Sequence, residues 1–105
     1  MNIPAPVDNI FTIYSKSDCI YCKKVEILLK EYFEGTGDEN IHKNNCDDYL
    51  NDEKIKQNFM NFIEKFANIK PKTFPMVFYD GKFIGGFEDT KDYLKCKSLK
   101  FDEDF

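Results

Sequence analysis

Apolar and polar positions follow two different periods along this chain, and each period predicts a different element. An unbroken β-branched and aromatic run at residues 10–14 is typical of a buried strand. We expect a helix to begin at the cysteines that follow this strand and to end at residues 35–37, which contain two glycines. The apolar face of that helix has the spacing of a helical repeat and consists of Val25, Leu28, Leu29 and Tyr32.

The middle of the chain contains one weak pattern and one strong pattern. Residues 39–45 have a single clearly apolar side chain, Ile41, so a second strand there rests on architecture more than on pattern. Residues 50–68 predict a second helix, which Pro71 stops. The apolar positions of this helix keep helical spacing and are Ile55, Phe59, Phe62, Ile63 and Phe66.

The last third of the chain predicts a hairpin and a short helix. Residues 76–79 and 82–84 are joined by Asp80 and Gly81, a pair that suits a tight primed turn. A short last helix follows from about residue 89 to residue 95. The order β-α-β-α-β-β-α gives a parallel first βαβ unit and an antiparallel hairpin. We therefore predict a single α/β domain over residues 1–105, with a four-stranded mixed sheet flanked by helices.

Composition and charge reduce the range of functions and partners that we expect. The 105 residues are 42% hydrophobic, with eleven Phe and six Tyr, which indicates a packed core. The formal net charge is −4 and all basic residues are Lys, so we expect no nucleic-acid partner. Because no apolar run reaches the roughly 18 residues of a membrane span and no signal peptide is evident, we expect no membrane partner. We expect a reducing compartment, the cytoplasm, in which thiols carry out chemistry.

Cys19 and Cys22 are the strongest chemical signal in the chain. They lie one helical turn apart, directly after the predicted first strand. The start of a helix favours an anion and lowers the pKa of a thiol from about 8.5 into a range of roughly 3.5 to 7.5. A thiolate there attacks a disulfide, and a second thiol nearby resolves the mixed intermediate. The spacing therefore assigns attack to Cys19 and resolution to Cys22, which lies farther into the helix.

Charged side chains near this pair act in both directions. Asp18 disfavours a thiolate at Cys19, whereas Lys16 and Lys23 favour it. Exposed charges at this range contribute about 1 kcal/mol each in water. We therefore expect the helix terminus and the lysines together to outweigh Asp18.

A zinc site is an alternative use of the same cysteines. Cys19 and Cys22, with His42 and Cys46, supply four candidate ligands at finger-like spacing. Zinc ligand pairs usually lie in knuckles, however, and not at the start of a strongly amphipathic helix. We therefore favour a redox pair, with no metal, over zinc and over cysteines that only fill the core.

Three motifs, in chain order, resemble those of the glutaredoxins over about residues 10–96. They are Tyr14-Ser15-Lys16 leading into Cys19-Ile20-Tyr21-Cys22, then Thr73-Phe74-Pro75, and then Gly85-Gly86-Phe87-Glu88-Asp89. The resemblance implies a thioredoxin-like fold and a dithiol glutaredoxin. Such an enzyme uses glutathione as co-substrate to reduce protein disulfides and glutathione mixed disulfides.

The resemblance also implies how one side of the cysteine pair would bind glutathione. Pro75 would be cis and would pack beside the pair. The backbone of Phe74 would then pair with the substrate peptide, much as an added strand would. Lys16 would meet the glycine carboxylate, with Tyr21 alongside it and Lys72 as a further candidate.

The last of the three motifs implies the other half of the glutathione site. Gly86 would allow close approach, and Phe87, Glu88 and Asp89 would hold the γ-glutamyl end. Asp89 suits the ammonium group, and free N–H groups at this helix start suit the carboxylate.

The chain departs from the glutaredoxin pattern at several positions. Ile20 stands where Pro is commonest in the family, and residues 35–71 form a longer middle region than usual. The chain ends soon after Cys96, so we expect the final helix of the family to be short or missing. Cys46 and Cys96 match no motif and are expected to be structural or peripheral thiols.

Two further functions would use the same pair. A thioredoxin-like reductase usually has Trp before the pair, where this chain has Asp18, and the chain contains no Trp. Modules that bridge an iron–sulfur cluster between two subunits generally carry Ser or Gly variants, unlike Ile20 and Tyr21. We expect instead a monomer that acts on disulfide-bearing or glutathionylated proteins, with ribonucleotide reductase as a candidate client by family analogy alone.

Overall fold

The computed structural model describes residues 3–33 and 39–103, with side chains as far as Lys97. In this part of the chain, no helix is long and apolar enough to cross a membrane. The strands and helices, in chain order, are β1 (Phe11–Ser15), α1 (Ile20–Phe33), β2 (Ile41–Asn45), α2 (Glu53–Ala67), β3 (Met76–Tyr79), β4 (Lys82–Gly85) and α3 (Phe87–Glu103). This is the predicted order of elements.

The four strands form one mixed sheet with the spatial order β2-β1-β3-β4. β1 pairs in parallel with β2, so that Phe11 lies beside Ile41, and it pairs antiparallel with β3. β3 and β4 form the predicted hairpin, whose turn residues Asp80 and Gly81 have positive φ angles of 52° and 77°. Both angles fit a primed turn, which requires positive φ at its two central residues.

The strand at residues 41–45 forms although its sequence pattern is weak. β2 is an edge strand, and only Asn44 within it is buried. Its backbone pairs with β1 along five residues. Because this pairing uses backbone groups, a strand with mostly exposed side chains can still form the hydrogen bonds to its one neighbouring strand.

The sheet separates two hydrophobic clusters because successive strand residues point to opposite faces. One cluster lies under α1 and α3 and contains Phe11, Ile13, Val25, Leu29, Val77 and Leu94. The other lies under α2 and contains Tyr14, Cys46, Phe59, Ile63, Met76 and Phe78. β1 contributes to both clusters and is buried along its whole length, as its unbroken apolar pattern predicts.

The first two helices differ from the predictions in detail. In α1, Val25 and Leu29 are buried, but Tyr32, in the last turn, is 41% exposed although it belongs to the predicted apolar face. The predicted end of this helix, at residues 35–37, lies outside the described residues.

The second helix is shorter than the predicted range of residues 50–68. α2 begins after Asp52, whose carboxylate accepts hydrogen bonds from the backbone N–H groups of Lys54 and Ile55. It ends at Asn68, which adopts a left-handed conformation with φ of 64°. Capping at Asn68 therefore ends the helix before Pro71 is reached. Asp47–Tyr49, ahead of the helix, forms a separate 3₁₀ turn.

The last helix is much longer than predicted. α3 spans 17 residues, so the expectation of a short helix over residues 89–95, or of a missing final helix, is wrong. Few apolar residues follow Leu94, and hydrophobic periodicity therefore gave no sign of a continuation. The Lys97 ammonium lies 4.6 Å from the ring centre of Tyr79 and 4.9 Å from that of Tyr93 on the same helix, and the first of these cation–π contacts joins α3 to β3.

Candidate active site

Cys19 lies at the predicted place, immediately before the first residue of α1. Its Sγ accepts a hydrogen bond from the backbone N–H of Cys22 at 3.2 Å, and its carbonyl oxygen accepts one from the N–H of Lys23 at 3.2 Å. A side chain that accepts from the third helical amide is an N-cap. The sulfur therefore faces the amide-rich, partly positive end of α1.

Cys19 and Cys22 form a disulfide, with their Cα atoms 5.2 Å apart. Their exposed fractions are 9% and 5%, so Cys22 is the slightly deeper of the two, as expected. The spacing of one helical turn, read from the sequence, thus gives a cross-linkable pair. The structure contains the oxidised form of that pair.

The loop between β1 and Cys19 is held by Asp47, a residue that the sequence analysis missed. The carboxylate of Asp47 accepts hydrogen bonds from the backbone N–H of Ser17, at 2.9 Å, and from its hydroxyl. These bonds lower the pKa of the Asp47 carboxyl. Within the same loop, Asp18 has a positive φ of 57°. Asp47 follows the end of β2, and parallel strands end at the same edge of a sheet, so its position after a predicted strand was the available signal.

The segment before β3 brings a backbone carbonyl to the disulfide. The Phe74–Pro75 peptide bond is cis, as the glutaredoxin resemblance implied. The carbonyl oxygen of Phe74 lies 3.8 Å from the Sγ of Cys19. The Phe74 ring stacks on the ring of Phe59 from α2, with ring centres 6.0 Å apart and planes 10° apart. Packing in the α2 cluster therefore supports the backbone that lies against the sulfur.

A groove of about 590 Å³ surrounds Cys19 and carries three lysines. Lys16 comes from the loop before Cys19, Lys72 precedes Thr73, and Lys56 comes from α2. The ammonium of Lys16 lies 5.7 Å from the ring centre of Phe74. The other residues that line this groove are Cys19, Ile20, Tyr21, Leu50, Met60, Thr73, Phe74 and Met76. Lys56 was not predicted, because a single lysine on an amphipathic helix has the pattern of a solvated position.

The start of α3 lies on another side of the cysteine pair. The ring centres of Phe87 and Tyr21 are 6.1 Å apart, and the Cα of Gly86 is close enough to Pro75 that an added Cβ would lie 3.7 Å from its carbonyl oxygen. Asp89 lies apart from this contact, since its side chain covers Gly85 and lines a cavity between β4 and α3. The expected glutathione contacts are thus divided between the lysine-lined groove and the start of α3.

The candidate zinc ligands do not converge. His42 is exposed on β2, whereas Cys46 is fully buried in the α2 cluster, where burial raises the pKa of its thiol to about 12. Among the described residues, no three His, Cys, Asp or Glu side chains form a group that could hold a metal ion. Cys96 carries a free, exposed thiol on α3.

Several solved glutaredoxin structures are similar to this chain. The dithiolic glutaredoxin 2-C-Grx1 from Trypanosoma brucei brucei is 25% identical, with a TM-score of 0.62 over 88% of this chain and 84% of that one. Glutaredoxin 1 from Francisella tularensis, complexed with cacodylate, is 23% identical, with a TM-score of 0.56 over 86% of this chain and 95% of that one. A buckwheat glutaredoxin–glutathione complex is 22% identical, with a TM-score of 0.61 over 87% of this chain and 73% of that one. No protein-family model and no curated protein matches the sequence.

The fold and the cysteine pair are the two features that this chain shares with these structures. The mixed sheet with helices on both faces is the thioredoxin-like fold, as predicted. A disulfide between Cys19 and Cys22 lies at the start of α1, and the likeness of this fold to glutaredoxins supports the chemistry of a thiol–disulfide oxidoreductase.

Proposed function

We propose that this protein is a glutathione-dependent oxidoreductase that reduces protein disulfides and glutathione mixed disulfides. The observation that carries the proposal is the setting of the Cys19 sulfur. It accepts the Cys22 amide at the start of α1 and lies 3.8 Å from the Phe74 carbonyl. An attacking sulfur in this position has a helix end that favours its anion and a backbone edge that suits an extended peptide.

The proposed reaction uses both cysteines on a protein disulfide. The thiolate of Cys19 attacks one client sulfur, and the other client sulfur leaves and takes up a proton. Cys22 then loses its proton and attacks Cys19, which releases the reduced client and leaves the Cys19–Cys22 disulfide. Two glutathione molecules return this disulfide to the dithiol and become oxidised glutathione, so that the electron pair passes from glutathione to the client.

A glutathione mixed disulfide needs only Cys19. The thiolate attacks the glutathione sulfur, and the client thiolate leaves and is protonated. A second glutathione then attacks the Cys19–glutathione disulfide, so oxidised glutathione is released and the Cys19 thiolate is regenerated. Cys22 takes no part in this route.

Two features support glutathione as the co-substrate. Glutathione carries two carboxylates and one ammonium group, and the groove around Cys19 offers lysine ammonium groups at Lys16 and Lys72. The start of α3, beside Tyr21, offers backbone N–H groups for the second carboxylate. A buckwheat relative was also solved as a complex with glutathione.

The first test replaces the attacking sulfur. We expect Cys19→Ser to abolish turnover of both substrate classes, because no nucleophile remains at the start of α1. The assay couples oxidised glutathione to glutathione reductase and follows NADPH consumption. Cys96→Ser is the matched control, since that thiol is free and exposed on α3 and does not line the groove around Cys19. Substantial residual activity of Cys19→Ser contradicts the assignment.

The second test separates the two routes. We expect Cys22→Ser to keep removal of glutathione from mixed disulfides and to lose reduction of protein disulfides, because only the latter needs a second thiol. Both activities are measured on the same preparation with the same coupled assay. Equal survival of the two reactions would show that Cys22 is not the resolving thiol. A parallel assay with thioredoxin reductase as donor tests whether glutathione is the reductant.

A further inference from the structure

We propose that the ion pair between Glu26 and Lys43 controls how readily Cys22 gives up its proton in the resolving step. Both are positioning residues, because they act through the electric field at the Cys22 sulfur and take no part in bond making. This inference rests on the proposed function and deepens it, since it concerns only the route that needs two cysteines.

The two sulfurs of the pair border different cavities. Cys19 lines the groove described above, whereas Cys22 lines a second cavity of about 310 Å³ between the loop before Cys19, α1 and β2. Apart from Cys22, every described residue that lines this second cavity is polar or charged. Its size and polar lining suit water, so the cavity gives the proton of Cys22 a route to solvent that does not pass through the groove.

The resolving step requires Cys22 to become a thiolate. Its thiol loses a proton, its sulfur forms a bond to the sulfur of Cys19, and the bond between Cys19 and the client sulfur breaks. The electron pair of the broken bond goes to the client sulfur, which then takes up a proton. Cys22 is only 5% exposed, and burial disfavours the charged form of a thiol. Charges close to Cys22 therefore affect the rate of this step.

Charged groups of both signs line the cavity together with Cys22. They are Lys16 and Asp18 from the loop before α1, Lys23 and Glu26 from α1, and Lys43 from β2. On the side of Cys19, the groove adds Lys56 and Lys72. Ammonium groups favour a thiolate and carboxylates disfavour it, so each of these charges moves the balance in a known direction.

Glu26 is the carboxylate that the fold holds one helical turn from Cys22. It follows Cys22 by four residues, and side chains at this spacing have Cβ atoms about 5–6 Å apart. Its carboxylate lies 3.3 Å from the Lys43 ammonium and 3.2 Å from that of Lys30. Burial raises the pKa of the Glu26 carboxyl, but hydrogen bonds from the two lysines outweigh burial and lower it overall. Glu26 is therefore ionised at neutral pH, and Lys43 offsets its effect on Cys22.

Removal of either partner breaks the same ion pair but changes the field at Cys22 in opposite directions. Glu26→Gln removes a negative charge, so we expect the pH midpoint of the resolving step to fall by about 0.3–1 pH unit. Lys43→Gln removes a positive charge, and we expect the midpoint to rise by a similar amount. A purely structural role of the ion pair would instead affect both variants in the same direction.

The measurement isolates the attack of Cys22. A symmetric aromatic disulfide whose released thiolate, thionitrobenzoate, is coloured forms a mixed disulfide on Cys19 at acid pH, at which Cys22 is protonated. A rapid jump to a series of higher pH values then starts resolution, and absorbance follows release of the second coloured thiolate. All proteins carry Cys96→Ser, so that the exposed thiol on α3 adds no signal. The readout is the pH at which the rate is half-maximal.

Lys30→Gln is the matched control. It removes the other ion pair of Glu26, but Lys30 lies eight residues after Cys22, about 12 Å along the helix axis. Lys30 is also not among the described residues that line the cavity. We expect its midpoint to stay close to that of the wild type. Turnover of a glutathione mixed disulfide, which does not use Cys22, is expected to keep its pH profile in all three variants.

Two results would overturn the inference while leaving the proposed function in place. They are equal pH midpoints of the resolving step in Glu26→Gln, Lys43→Gln and the wild type, and midpoints that move in the same direction in both variants. Absence of wild-type turnover on every glutathione mixed disulfide would instead overturn the proposed function.

Discussion

The backbone conformation at Gly85, beside the site, requires glycine. Its φ is 134°, a conformation that L-residues rarely adopt, and a Cβ added there would lie 2.2 Å from the Oδ2 of Asp89 and 2.7 Å from its Cβ. We expect Gly85→Ala to lower the free energy of unfolding by about 1–3 kcal/mol, because it adds backbone strain to a steric clash. The measurement is the midpoint of chemical denaturation.

Gly86→Ala is the control for this substitution. The φ angle of Gly86 is not in the range that L-residues avoid, and an added Cβ would make an ordinary contact at 3.7 Å with the carbonyl oxygen of Pro75. We therefore expect near-native stability for Gly86→Ala. Adding Asp89→Ala to Gly85→Ala removes the clash with the carboxyl group but keeps the one with the Cβ of residue 89, so it is expected to recover only part of the loss. Equal stability of the two glycine variants would refute the argument from φ.

The loop before α1 is held in place by hydrogen bonds to a residue from a different part of the chain. Asp47 clamps Ser17, two residues before Cys19, and the clamp joins the 3₁₀ turn after β2 to the loop after β1. We expect Asp47→Ala to reduce kcat/KM for a glutathione mixed disulfide by up to about tenfold. This is below the hundredfold loss that a misplacement of one ångström can cause. Asp48→Ala, on the same turn, is the matched control.

The clamp also predicts a dependence of stability on pH. Hydrogen bonds from the Ser17 side chain and backbone lower the pKa of Asp47 in the folded protein. Its carboxylate therefore stabilises the fold above the unfolded-state pKa of about 3.9, and this stabilisation is lost as the pH falls through the lower folded-state pKa. Asp47→Asn is expected to be less stable than the wild type at pH 7. A stability gap that stays the same down to pH 2 would contradict this linkage.

Elements with a strong periodic pattern were predictable from the sequence, and those that rest on polar contacts were not. β1 and the Asp80–Gly81 hairpin follow from apolar runs and turn chemistry. The length of α3 does not, because few apolar residues follow Leu94 and the contact of Lys97 with Tyr79 exists only in the folded chain. β2 forms through backbone pairing with β1, and its mostly polar side chains give little indication of a strand.

The site shows the same division. The Cys pair and cis Pro75 belong to local motifs, and both lie where their sequence context predicted. Asp47 acts through contacts between distant segments, so no local motif identifies it and its position after a predicted strand was the only signal. The predicted role of Asp89 stays a prediction, and the structure adds that its side chain covers Gly85.

For the whole molecule, the two faces of the sheet have different relations to the site. α1, which carries the cysteines, packs on one face with α3, whereas α2 and its cluster pack on the other. The α2 cluster reaches the site through Phe74, whose ring lies on Phe59 and whose carbonyl lies against Cys19. A defect in the core under α2 therefore has a direct route to the reacting sulfur that does not pass through α1.

Phe59 allows this coupling to be tested. It is fully buried, and its ring also contacts Tyr14 and Tyr49. We expect Phe59→Ala to lower the free energy of unfolding by about 3–5 kcal/mol, a large fraction of the roughly 5–15 kcal/mol that holds a domain of ordinary stability together. Phe66→Ala is the matched control, because Phe66 lies on the same helix but is 37% exposed.

A measurement of activity distinguishes an effect of Phe59 on the position of Phe74 from a simple loss of folded protein. Under conditions in which circular dichroism shows Phe59→Ala to be folded, we expect its kcat/KM on a glutathione mixed disulfide to fall, because Phe74 loses the ring that positions its carbonyl beside Cys19. Phe59→Leu refills most of the volume without restoring the flat stacking surface, so it should recover stability more than activity. If folded Phe59→Ala instead turns over at the wild-type rate, the α2 cluster supports the fold without positioning the substrate-facing backbone.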